Sequence, residues 1–124
     1  MARIRVILAL APSIFRESLR TALESAADIY VVGEVDQHIH LLLEVEGYEA
    51  DAVVLQAQND NNVPGICSHL FHEYPHLLVV ALSRSDGGAV IYRQEVIEQR
   101  THTLSIGDLL TVLRTANTTY WNSP

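Results

Sequence analysis

The 124 residues are enough for one domain with a buried core and too few for two domains. Almost half of them are apolar, and 15 acidic against 8 basic residues give a net charge of −7, which is the composition of a globular acidic chain and not of a disordered one. All eight of these basic residues are Arg, so the sequence excludes lysine-dependent chemistry. No basic run occurs, so the sequence lacks the electrostatic footprint of nucleic-acid binding.

A single cysteine, Cys67, excludes an internal disulfide and is typical of a reducing compartment. The amino-terminal apolar run ends at Pro12, which makes it too short to cross a bilayer, and no signal-peptide cleavage pattern follows it. We therefore expect a cytoplasmic protein that makes no contact with a membrane.

The chain opens with a predicted strand and helix. Ile4 to Leu10 is a short aliphatic and β-branched run, and Ser13 is placed to cap a helix that continues to about Glu24. At helical spacing this helix carries a predicted inner face of Ile14, Phe15, Leu19, Ala22 and Leu23, and a predicted solvent face of Arg16, Glu17 and Arg20.

Alternating strands and helices continue to the middle of the chain. The predicted elements are the strand Ile29–Val35, the helix Ile39–Val45, a central strand that ends at Gln56, the helix Pro64–Tyr74 and the strand Leu77–Leu82. The central strand is a continuous apolar run, which is typical of a parallel strand covered on both faces. Four such βα units predict a parallel sheet with right-handed crossovers.

The pattern breaks after Ser83. The segments 89–93 and 96–104 are rich in β-branched residues and show no helical apolar stripe, so they predict a hairpin around Arg93 to Glu95. A short helix from Ala89 to Ile97 is the alternative. Ser105 is then placed to cap a last helix, with Asp108 in its first turn and an inner face of Leu109, Leu110, Val112 and Leu113.

This order of elements resembles the receiver domain of response regulators. The segment from Val6 to Arg20 is the most specific part of the resemblance, and 28–35 is similar to the second strand of NarL/FixJ-type receivers, which usually carry helix-turn-helix output domains. The resemblance implies a flavodoxin-like (CheY-like) α/β fold with a parallel five-stranded sheet and helices on both faces, in which the hairpin shortens or replaces the fourth helix. We expect it to cover 1–116, with 117–124 as a tail or the start of a linker.

The resemblance also implies that the phosphorylation pocket of the family is degenerate here. Leu10 and Ala11 stand where receivers hold Mg²⁺ with two acids, Gln56 stands where they carry the phospho-accepting Asp, and the switch lysine falls near His102. Ser83 alone matches the family, as its switch hydroxyl. Because Mg²⁺ needs hard oxygen ligands and phosphoryl transfer needs cations to neutralise charge, we expect a pseudo-receiver that is not an enzyme and holds no metal or cofactor.

A domain that lacks catalytic residues is expected to act by contacting other proteins, and the predicted hairpin offers a surface for such contacts. Receivers transmit their signal through the surface around the fourth helix, which the hairpin would replace with an exposed strand edge. The candidate residues of this surface are Tyr92, Arg93, Glu95, Glu98 and Arg100. We expect contact with a protein partner, or with a second copy through the hairpin and the last helix, and no direct contact with nucleic acid.

Three other interpretations are open. Cys67, His69, His72 and His76 form a cluster along the predicted third helix, and the spacing of the three histidines allows them to share a face, but it matches no established metal site and favours a polar helix face. A flavodoxin-like sensor or enzyme could use a pocket lined by the same strand-end residues, although they include no acid–base pair. A conventional receiver could take phosphate on Asp60 instead. The preferred hypothesis is a non-phosphorylatable receiver-like domain, the regulatory part of a bacterial signal-transduction or transcription regulator.

Overall fold

The computed structural model describes residues 4–10, 13–35, 40–56, 66–83, 88–93, 96–101 and 105–116, and at 42, 66–68 and 96–101 it describes the backbone alone. This part of the chain forms β1 (Ile4–Ala9), α1 (Ile14–Glu24), β2 (Ile29–Glu34), α2 (Leu41–Tyr48), β3 (Ala52–Gln56), α3 (Ile66–Glu73), β4 (Leu78–Leu82), β5 (Ala89–Arg93), β6 (Val96–Thr101) and α4 (Ile106–Arg114). None of the described helices combines the length and the apolar character that crossing a bilayer requires.

The described strands form one sheet in the order β2-β1-β3-β4-β5-β6. The first four are parallel, which confirms the predicted α/β class, whereas β5 runs antiparallel to β4 and β6 antiparallel to β5. The expected five parallel strands are therefore wrong. Only the residues 83–88 separate β4 from β5, and a parallel neighbour needs a crossover of a dozen residues or more.

The hairpin predicted after Ser83 is confirmed, and the alternative of a helix from Ala89 to Ile97 is wrong. The predicted turn residue Glu95 lies outside the described residues. Within the hairpin Ile91 pairs with Gln99 but Tyr92 pairs with Ile97, so β6 contains one extra residue, a bulge. Since β6 is the last strand of the sheet, this bulge lies in an edge strand.

The core has two layers, one on each face of the sheet. Residues of β1 alternate between them, with Val6 and Leu8 on one side and Ile7 and Ala9 on the other. The first layer is covered by α1 and α4 through Leu19, Leu23, Leu109 and Leu113, and the second by α2 and α3 through Leu41, Val45, Leu70 and Phe71. This confirms helices on both faces.

The inner face predicted for α1 is wrong at its amino-terminal end. Ile14 is 86% exposed and Phe15 is 57% exposed, while Leu19 and Leu23 are buried. Ile14 lies about 140° around the helix from Leu19, on the side away from the sheet. Phe15 is one turn from Leu19 on the same stripe, and there it lines a cavity instead of entering the core.

Truncating the central strand should destabilise the fold. Leu55 has no exposed surface, so Leu55→Ala leaves a cavity and should lower the free energy of unfolding by about 2–5 kcal/mol. Urea denaturation followed by circular dichroism measures this loss. Leu43→Ala makes the same chemical change at a position that is 72% exposed and should stay within about 0.5 kcal/mol. Equal losses in the two variants would contradict the assigned burial.

Candidate functional site

The residues expected in the degenerate pocket meet at the carboxyl edge of the parallel strands. β1, β3 and β4 are in register almost to their last residues, so Leu10, Gln56 and Ser83 lie at the same edge of the sheet. Ala11 and His102 lie outside the described residues. The structure therefore brings together the three predicted pocket residues that it describes.

The three side chains have different environments. Leu10 is 3% exposed and belongs to the core, Gln56 is exposed, and Ser83 is partly buried. The backbone N–H of Ser83 donates to the carbonyl of Gly88 at 2.8 Å, which closes the loop between β4 and β5. These three predicted residues thus offer one amide and one hydroxyl, and neither group is an acid.

A charged cluster at the same edge was not predicted from the sequence. Glu34 ends β2, and its carboxylate lies 2.6 Å from Nε of Arg16 and also contacts the guanidinium of Arg20. Arg16 further donates from Nη1 to the carbonyl oxygen of Leu10 at 3.2 Å. The side chains of Arg16 and Glu34 are only 17% and 21% exposed, so the expected solvent face of α1 is wrong at Arg16.

Arg20 joins this cluster to a second acid. Its Nε donates to Glu24 at 3.2 Å, four residues along α1. The hydrogen bond to Glu24, followed by the contacts with Glu34, raises the pKa of the Arg20 guanidinium above its ordinary value. Two guanidinium groups and two carboxylates therefore neutralise one another. The spacing of Arg16 and Arg20, one helical turn apart, is the sequence signal that could have indicated a shared acidic partner.

These residues do not fit the Mg²⁺ that the resemblance implies. Leu10 is apolar and Gln56 supplies at most a neutral oxygen, whereas Mg²⁺ in proteins is held by carboxylates. The nearby carboxylate of Glu34 is taken by two arginines, and the guanidinium on the Leu10 carbonyl adds positive charge. Among the described residues no group of three or more His, Cys, Asp or Glu side chains could hold a metal, and the histidines 69, 72 and 76 are exposed.

A cavity of about 160 Å³ lies beside the pocket, between the amino-terminal ends of α1 and α4. It is lined by Phe15, Leu19, Leu82, Ser83, Gly88, Ser105, Ile106 and Leu109. Of the described residues predicted to line a ligand pocket, Ser83 lines the cavity and Leu10 and Gln56 do not, so the cavity is displaced from the strand ends toward the helices. Its walls are apolar apart from Ser83 and Ser105.

Two residues of the predicted interaction surface are buried. Tyr92 is 5% exposed because its side chain packs in the core layer that α2 and α3 cover, and Arg93 is 9% exposed and reaches the end of α4 on the other face. Arg93 donates from Nη2 to Oγ1 of Thr115 at 2.9 Å, which places a cation at the carboxyl end of α4, where the helix dipole favours it. Glu98 and Arg100 occupy the edge strand β6.

No model of a protein family matches the chain, and no curated protein matches it in sequence. Solved structures do match. The isolated receiver domain of RcsB from Salmonella enterica serovar Typhimurium, with phosphomimetic BeF3−, superposes with a TM-score of 0.57 at 20% identity, over 68% of this chain and 64% of that chain. The receiver domain of NarL from Mycobacterium tuberculosis gives 0.57 at 22% identity, over 69% and 70%.

A further RcsB structure from Salmonella typhimurium gives a TM-score of 0.58 at 21% identity, over 70% of this chain and 45% of that chain. The match thus spans less than two thirds of the length of the RcsB chains. At these identities the likeness shows the fold alone. The chain has a receiver-like α/β fold.

Removing the charge of Glu34 should destabilise the carboxyl edge. Glu34→Gln leaves the guanidinium of Arg16 shielded from water without its anion, so the free energy of unfolding should fall by about 1–3 kcal/mol. Thermal and urea denaturation measure the loss. Glu24→Gln removes the same charge from the exposed helical pair and should cost under about 0.5 kcal/mol. A Glu34 variant as stable as the Glu24 variant would show that the cluster contributes nothing.

Proposed function

We propose that the chain is a receiver-like signalling domain that accepts no phosphate and acts by protein–protein contact. The observation that carries this proposal is the chemistry at the carboxyl edge, where Gln56 ends the central strand and Glu34 is neutralised by arginines. An amide cannot accept a phosphoryl group as a carboxylate does. Arg16 binds the Leu10 carbonyl, so a fixed guanidinium occupies the strand end at which a receiver would bring its metal.

The receiver-like neighbours support a regulatory context. One of them is a structure of two RcsB dimers bound to two parallel DNAs, and another is an RcsB–DNA complex. By analogy, we assign this domain to the regulatory part of a bacterial signal-transduction or transcription regulator. In the proposal the domain itself contacts protein and leaves nucleic acid to another part of such a regulator.

The edge strand β6 is the proposed site of contact with a partner or a second copy. Its outer edge pairs with no other described strand, and free backbone groups at an edge can accept a further strand. The bulge in β6 and the charges of Glu98 and Arg100 oppose indiscriminate pairing, so a strand that binds here must match them. With Tyr92 and Arg93 buried, the proposed surface consists of Glu95, Glu98 and Arg100 together with α4.

The rival hypothesis of a ligand-binding sensor or enzyme has less support. The cavity beside Ser83 measures about 160 Å³, below the roughly 300–1,000 Å³ of most ligand sites. The cavity lining contains two hydroxyls and no titratable acid or base, which leaves a general acid–base enzyme without its reactive groups.

The chain should stay unmodified by a small-molecule phosphodonor. Incubation with Mg²⁺ and acetyl phosphate, followed by intact mass measurement, should give an unchanged mass, because the described residues of the edge offer neither an acceptor nor metal ligands. An ordinary receiver domain treated in parallel confirms that the donor is active. A stable single phosphate would contradict the proposal, and Asp60→Asn, at a position outside the described residues, would then test the remaining acceptor.

Reversing one charge on β6 should change self-association. Glu98→Arg should reduce the dimer fraction in sedimentation velocity, because it alters the charge pattern of the edge strand that the second copy must match. Glu46→Arg changes the net charge equally on an exposed position of α2 and should leave the dimer intact. A parent chain that is monomeric at every concentration would exclude the second copy and leave a different protein as the partner.

A further inference from the structure

A second cavity lies at the amino-terminal edge of the parallel strands. It measures about 320 Å³ and is lined by Ala50 and Asp51, which precede β3, and by 73–77, which run from the end of α3 to the start of β4. We call it the amino-edge cavity. It has room for about ten non-hydrogen atoms at roughly 30 Å³ each, and its volume falls within the roughly 300–1,000 Å³ of most ligand sites.

A carboxylate is held in place at this cavity. The backbone N–H of Asp51 donates to the carbonyl oxygen of Arg5 at 2.8 Å, and the backbone N–H of Arg5 donates to Oδ2 of Asp51 at 2.9 Å. The carbonyl oxygen of Asp51 in turn accepts from the N–H of Leu78 at 3.2 Å. Among the described residues no donor binds the other carboxylate oxygen, Oδ1, so Asp51 is a preorganised anion that can accept a further hydrogen bond.

The surroundings of the cavity are negatively charged. Burial raises the pKa of the Asp51 carboxyl above its ordinary value, and the charge of Glu49 adds to the rise. Burial, followed by the charges of Glu46 and Glu73, raises the pKa of the Tyr74 phenol. A cation bound between these groups would oppose both shifts, because positive charge favours the ionised form of an acid.

The helix ends add to this negative charge. Both α2 and α3 end at this edge of the sheet, and a helix carries partial negative charge at its carboxyl end. Arg5 lowers the pKa of Asp51, but its Nε is bound to the carbonyl oxygen of Tyr48 at 2.7 Å and it does not line the cavity. Arg5 therefore offsets the acids only in part.

The cavity favours an organic cation over other ligands. An anion would be repelled, and a neutral ligand would cover the Asp51 carboxylate without compensating its charge. A metal ion fits poorly, because the described ranges contain no group of three His, Cys, Asp or Glu side chains that could hold one. An ammonium or guanidinium group can pair with Asp51, and the stem that carries it can pack on Leu77 and on Tyr74, whose ring also attracts cations.

We propose that the amino-edge cavity binds a small organic cation, with its ammonium or guanidinium group at Asp51 and its apolar stem against Tyr74 and Leu77. The cation is either a free amine or guanidine, or the side chain of a Lys or Arg on another protein. This site lies at the edge of the sheet opposite Gln56 and Ser83. It therefore goes beyond the proposed function and does not depend on the absence of phosphorylation.

Calorimetric titration of the full chain with agmatine, which carries an ammonium and a guanidinium group on a short alkyl stem, tests the proposal. Agmatine should bind, and pentanamide, a neutral amide with a similar stem, should not. A short peptide with one Arg between glycines and with blocked ends distinguishes the two sources. Tighter binding of the peptide identifies a protein side chain as the ligand, and tighter binding of agmatine identifies a free small molecule.

Substitutions locate the binding site. Asp51→Asn keeps a side-chain oxygen for the N–H of Arg5 but removes the charge, so it should weaken agmatine binding about ten-fold or more. Glu17→Gln changes the net charge equally at an exposed position of α1, and it should bind like the parent.

A second substitution at the cavity guards against a folding defect. Glu73→Gln, at the exposed end of α3, should weaken agmatine binding several-fold, and the loss should shrink as the salt concentration rises, because salt screens an exposed charge. Circular dichroism verifies that each variant is folded. If Asp51→Asn does not fold, the Glu73 variant decides.

The proposal is overturned if neither agmatine nor the peptide binds in the millimolar range, or if pentanamide binds as tightly as agmatine. It is also overturned if the folded variants at Asp51 and Glu73 bind agmatine like the parent. A phosphate found on the chain by mass would contradict the proposed function and leave the agmatine result standing, so the two failures can be told apart.

Discussion

The short connection between β4 and β5 shapes the carboxyl-terminal half of the molecule. Four parallel strands precede it, and helices connect each of them to the next, but the residues 83–88 cannot cross the sheet and return in the same direction. The chain therefore turns back beside β4 and forms an antiparallel hairpin. One face of the sheet loses the helix that a further crossover would have supplied, and the sheet gains a new edge at β6.

A second constraint acts at the carboxyl edge of the parallel strands. The carboxyl ends of neighbouring parallel strands lie at one edge of the sheet, so the side chains that follow them lie close together. A receiver uses this arrangement to place acidic residues around a metal. Here the same convergence collects an amide, a buried leucine and an acid shared between Arg16 and Arg20. The cations here are side chains of the chain itself, and with Glu24 and Glu34 they form a neutral cluster that needs no bound metal.

Most of the fold could be predicted from the sequence because the apolar runs are long and unambiguous. The continuous run before Gln56 indicated a strand covered on both faces, and the β-branched segments after Ser83 indicated the hairpin. Helical spacing alone does not show whether the first turn of a helix extends beyond the sheet it packs on. The sequence therefore predicts Ile14 and Phe15 in the core, although both are exposed. The sequence predicts Tyr92 at a surface because its packing under α2 and α3 depends on where β5 lies in the whole sheet.

The charged cluster could not be predicted for a related reason. Arg16 and Glu34 are far apart in sequence and meet only because β1 and β2 are parallel neighbours flanked by α1. Arg93 likewise meets Thr115 only through the folded sheet. That contact joins two segments that only the complete sheet brings together: a single side chain of the hairpin holds the last turn of α4 in place beside the end of β5.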